Sequence, residues 1–104
     1  MSIINPYKEH IKVFFIKSNS VSWRDIKDTD IVIDVREPHE FQSFNHKGAK
    51  NIPLGQISKY KTDKKVFVTC QSGMRSRMAV RILKKNGVDA VNIKGGMLKY
   101  YTRG

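Results

Sequence analysis

The sequence holds a single cysteine in 104 residues, which excludes an internal disulfide and any fold that depends on covalent cross-links. Long apolar runs are missing too: nothing approaches the roughly 18 consecutive apolar residues needed to cross a bilayer, so no membrane span is predicted. The most apolar N-terminal run, Val13-Phe14-Phe15-Ile16, is flanked by lysines and lacks the long core and small-residue cleavage site of a secretory signal. A cytoplasmic location is the expectation. Repeats, low-complexity tracts and Pro- or Gly-rich linkers are absent, so one domain is predicted for a chain of this length. His10, His39 and His46 sit in unlike contexts without ligand spacing, and no zinc-finger pattern occurs; no metal site is predicted.

Acids are scarce. Nine Asp and Glu stand against twenty Lys and Arg, for a net charge of +11. From Cys70 onward eight cations (Arg75, Arg77, Arg81, Lys84, Lys85, Lys94, Lys99 and Arg103) face one acid, Asp89. Most such charge marks a solvated surface, but a field of this sign also suits small anions and acidic partner surfaces. No aromatic-rich RNA-binding motif accompanies it, so nucleic acid is not favoured as a partner.

What the sequence does contain is an alternation of strand and helix patterns. Ser22 is placed to cap a helix start at 20–27. IVIDV (31–35) and KVFVTC (65–70) are β-branched runs without alternation, as in strands buried on both faces, and AVNI (90–93) is a third short strand. Between them, Pro38 with Phe41 and Phe44 predicts a short amphipathic helix over 37–45, and 51–53 a brief strand and turn. A weak helical segment follows near 54–60. Residues 76–86 predict a longer helix with Met78, Ala79, Ile82 and Leu83 on one face, ended by Asn86-Gly87, and Gly95-Gly96 leads into a last turn over 97–101. The implied fold is a single α/β domain over 20–104, with a mainly parallel sheet of four to five strands and helices on both faces. Residues 1–19 are expected to form an extension or edge strand.

Ligands bind such sheets at the carboxyl ends of the strands, where Cys70 falls. A helix N-terminus stabilises a thiolate through its unpaired amides and dipole. Gln71, Ser72, Gly73, Met74 and Arg75 separate the strand from the predicted helix; Gly73 can take the backbone angles that turn successive amides inward. Ser72 and Ser76 add hydroxyl donors, and Arg75 adds a charge suited to gripping an oxyanion.

The loop CQSGMRS (70–76) resembles the active-site loop of the rhodanese family, the thiosulfate:cyanide sulfurtransferases and their single-domain relatives. DVREPHEF (34–41), HKGAKNIPL (46–54) and IKGGM (93–97) resemble three further family segments in order and spacing. The resemblance implies a sulfurtransferase without metal or organic cofactor, acting as a monomer or weak dimer. Catalytic Cys70 would take sulfur from a small anionic donor such as thiosulfate and pass the persulfide to a thiol, cyanide or protein acceptor. Residues 71–76 would bind the donor, with Arg75 on its oxygens, while Asp34, Arg36 and Glu37 would form an ion-pair network bracing the loop. Tyr100 or Tyr101 stands where relatives often carry tryptophan.

Two alternatives stay open. One is a non-enzymatic rhodanese-like module for protein binding or regulation. The other is a cysteine phosphatase or arsenate reductase, which the loop length disfavours: only four residues separate Cys70 from Arg75, one fewer than a phosphate cradle needs.

Overall fold

A computed structural model describes residues 20–102; the extension or edge strand expected over 1–19 lies outside them. In chain order the elements are β1 (Ser20–Val21), a 3-10 turn (Trp23–Asp25), β2 (Ile31–Asp34), α1 (Pro38–Ser43) and β3 (Lys50–Asn51). A 3-10 helix (Leu54–Lys59), β4 (Val66–Thr69), α2 (Met74–Lys85), β5 (Ala90–Ile93) and α3 (Gly96–Tyr100) complete them. The five strands form one sheet in the order β1-β5-β4-β2-β3, with every pairing parallel. This is the α/β architecture that the alternation of patterns implied. β4 is the middle strand, and Asp34 of β2 and Thr69 of β4 lie in register.

Side-chain alternation along the strands sorts the core into two layers. Ile33, Val66, Val68 and Ala90 point to one face, where they bury Ile57 of the 3-10 helix and Ala79, Val80 and Leu83 of α2. Val32 and Ile93 point to the other, packed with Trp23 and with Met97 of α3. Each fully buried aliphatic side chain contributes about 1.5–3 kcal/mol relative to exposure, so both layers are needed to hold the sheet. Cys70, two residues beyond Val68, shares the α2 face.

The α2 helix corrects its predicted phase. It begins at Met74, two residues before the predicted start, and its buried residues are Ser76, Ala79, Val80 and Leu83. Met78, predicted on the apolar face, is 52% exposed. The cause is at the helix start: Gly73 takes a left-handed φ of 118°, so the chain turns from the cysteine loop into helix at once. Polar Ser76 then occupies the first inward position, and a reading of apolar residues alone passes over it. The N-terminal segment also differs: Ser22 caps as predicted, accepting from the Arg24 amide at 3.4 Å, but caps only the three-residue turn.

Candidate active site

Cys70 leaves the end of β4 buried, 1% exposed. Its Sγ accepts the backbone N–H of Gly73 at 3.0 Å and that of Ser76 at 3.3 Å, and its thiol donates to Ser76 Oγ at 3.5 Å. Ser76 Oγ donates in turn to Asn92 Oδ1 of β5 and to the Gly73 carbonyl oxygen. Asn92 Nδ2 donates to Ser20 Oγ at 3.2 Å. Asn92 is buried on the same sheet face as Ala90, which points it at the start of α2. The site thus rests on three adjacent strands, and Asn92 is a member that the AVNI pattern alone did not reveal.

The loop is held from behind by α3. The amide of Met97 donates to the Cys70 carbonyl oxygen at 2.7 Å and that of Leu98 to the Gln71 carbonyl oxygen at 3.0 Å. Gly96 makes this approach possible, because a Cβ there would lie 2.4 Å from the Cys70 carbonyl oxygen. Trp23 Nε1 fixes Gly96 in place by donating to its carbonyl oxygen at 2.8 Å, and the Tyr100 ring packs edge-on against Trp23 at 4.9 Å. Gly96 therefore serves backbone packing, and Tyr100 fills an aromatic position beside the sequence's one tryptophan.

The structure divides the remaining predicted residues. Asp34 and Arg36 form a fully buried pair: Arg36 Nη2 donates to Asp34 Oδ2 at 2.8 Å and to the Phe44 carbonyl oxygen at 2.8 Å. Glu37 stays outside that pair, exposed at the cap of α1, its amide donating to Glu40 Oε1 at 2.9 Å. Gln71 is half-buried, while Ser72 and Met74 are exposed, Met74 by 75%. Arg75 meets Glu40 of α1 in a bidentate ion pair, Nη1 to Oε1 at 2.7 Å and Nη2 to Oε2 at 3.0 Å.

Glu40 is thus a residue of the site that the sequence did not single out, thirty-five positions from its partner. Hydrogen bonds from Arg75 hold its pKa down at about 2, against the opposing effect of partial burial. Arg75 is pushed above its ordinary value, first by its hydrogen bonds to Glu40, against the opposing effect of partial burial, and further by the negative charge of Glu40. A cleft of about 520 Å³ opens elsewhere, lined by Ser22, Trp23, Arg24, Lys94, Gly95, Lys99 and Thr102, with no loop side chain in its wall.

A parallel α/β sheet with a cysteine sulfur received by two amides at a strand-to-helix junction defines a class of thiol-centred domains. The family model described as "Rhodanese-like domain" matches residues 19–103, and the chain belongs to that family. YqhL of Bacillus subtilis (strain 168), an uncharacterized protein, is 46% identical over 74 residues, 66% of this chain and 59% of that protein. The adenylyltransferase and sulfurtransferase UBA4 of Vanderwaltozyma polyspora is 36% identical over 88 residues, 67% of this chain and 20% of that protein. The chain therefore spans less than two thirds of either relative's length. Among solved structures, a rhodanese-related protein from Thermoplasma volcanium matches with a TM-score of 0.74 at 30% identity, covering 82% of this chain and 92% of that one.

Proposed function

We propose that this domain is a sulfurtransferase that moves sulfane sulfur from a donor such as thiosulfate to a thiophilic acceptor through a persulfide on Cys70. The Cys70 thiolate attacks the donor's outer sulfur, the donor's S–S bond breaks, and sulfite leaves with the electron pair. An acceptor thiolate, cyanide or protein thiol then attacks the outer sulfur of the persulfide, and the Cys70 thiolate is the leaving group. One observation carries this reading: the Gly73 and Ser76 amides reach Sγ at 3.0 and 3.3 Å, so a thiolate there has preorganised donors both when it attacks the donor and when it leaves the persulfide. Membership of the rhodanese-like family and the sulfurtransferase name carried by a relative support the same chemistry.

Mass spectrometry of the intact protein after incubation with a sulfane donor tests it. The expected result is a gain of one sulfur atom that a reducing thiol removes and that the Cys70→Ser variant does not acquire. No gain from either thiosulfate or a small-molecule persulfide, or equal gain by the variant, rejects the function.

A further inference from the structure

The Glu40–Arg75 pair bears on which donors this site takes. Arg75 lies in the first turn of α2, directly after the cysteine loop, and its charge is the feature of the sequence best suited to an oxyanion donor. Both of its terminal nitrogens are instead given to the two oxygens of one carboxylate. Glu40 is anchored on its own side as well, since its Oε1 also accepts the Glu37 amide at 2.9 Å. Arg36 offers no substitute, being buried and committed to Asp34 and to the Phe44 carbonyl oxygen. An oxyanion that reached Arg75 would have to displace a bidentate carboxylate and then remain beside its negative charge. A sulfane donor whose leaving group is a thiol without an oxyanion meets neither obstacle.

We propose that Glu40 is a specificity-determining residue: by occupying Arg75 it disfavours oxyanion donors such as thiosulfate and favours persulfides carried on thiols. The inference rests on the sulfurtransferase reading and names its donor class. The favoured step balances without further reactants. The Cys70 thiolate attacks the outer sulfur of R–S–SH, that S–S bond breaks, R–S⁻ leaves with the electron pair, and Cys70–S–SH is formed. Specificity here comes from a built-in repulsive element as much as from an attractive one.

The test compares thiosulfate with the persulfide of N-acetylcysteine methyl ester, a donor without carboxylate, on the full chain. Glu40→Gln is expected to raise the ratio of kcat/KM for thiosulfate over that for the persulfide at least tenfold, through a lower KM for thiosulfate. Glu40→Asp, which keeps the charge, is expected to retain the wild-type ratio, and adding Arg75→Ala to Glu40→Gln is expected to abolish the gain. A ratio unchanged within twofold, or a gain that survives loss of Arg75 and so runs through another cation such as Arg77, overturns the proposal. Calorimetric binding of thiosulfate to Cys70→Ser, with and without Glu40→Gln, separates the two readings because it needs no turnover. At least tenfold tighter binding in the double variant supports the role of Glu40 even if no donor loads Cys70, an outcome that would sink the sulfurtransferase reading alone. Equal binding removes the role of Glu40 even if Cys70 loads normally.

Discussion

Ser76 has one hydroxyl hydrogen, shared between the Asn92 side chain and the Gly73 carbonyl oxygen, so its oxygen faces Cys70 as an acceptor for the thiol. Once the sulfur carries a charge that thiol hydrogen is gone, and the Gly73 and Ser76 amides remain as the donors aimed at it. The neighbouring pair has its own pH signature. Glu40 titrates at about 2 in the folded domain against an ordinary 4.5, so the contribution of its ion pair is present above pH 4.5 and is lost as pH falls toward 2. Denaturant titrations across that window are expected to show wild-type stability falling more steeply with acidification than that of Glu40→Gln. Parallel slopes would mean that the pair adds nothing to the fold.

At the scale of elements, α3 acts on the loop through two amides and one missing side chain. Gly96→Ala adds a Cβ 2.4 Å from the Cys70 carbonyl oxygen at a φ of 56°, and is expected to cost about 2–5 kcal/mol and slow sulfur loading more than tenfold. Gly87→Ala, at a φ of 86° with open space around it, is expected to cost about 1–3 kcal/mol and leave loading intact. Thermal melts with loading rates distinguish the two, and equal effects would deny α3 its role in shaping the loop. Strands β2 and β4 are legible in the sequence because unbroken runs rich in β-branched residues have few other solutions, and so is the position of Cys70 after β4. The Asn92–Ser76 and Glu40–Arg75 contacts are not, since they join residues 16 and 35 positions apart through the packing of separate elements. A hydrophobic pattern misplaces the phase of α2 because the helix's first buried residue is a serine, which such a pattern discards. Glu37 stands out in the sequence as part of a charged cluster, yet the chain direction of α1 turns Glu40, one helical turn on, toward the loop.

The molecule as a whole depends on a charge pair at the sheet's carboxyl edge. Asp34 and Arg36 are 0% and 1% exposed, and removing one partner of such a buried pair costs about 3–5 kcal/mol, a large share of the roughly 5–15 kcal/mol that holds a small domain folded. Asp34→Ala is therefore expected to lower the Tm by about 12 °C or more, using about 4–8 °C per kcal/mol for a domain of this size. A shift under about 4 °C, the smallest equivalent of 1 kcal/mol, would show that the pair is dispensable. Elsewhere around the loop, α3 grips the carbonyl oxygens of Cys70 and Gln71. That grip, with the middle strand just before it, ties down the backbone on both sides of the sulfur. If Cys70 carries the sulfur as proposed, it does not swing outward as a tethered arm does, and delivery falls to an acceptor whose nucleophile is slender enough, or borne on a projecting enough segment, to reach a buried atom.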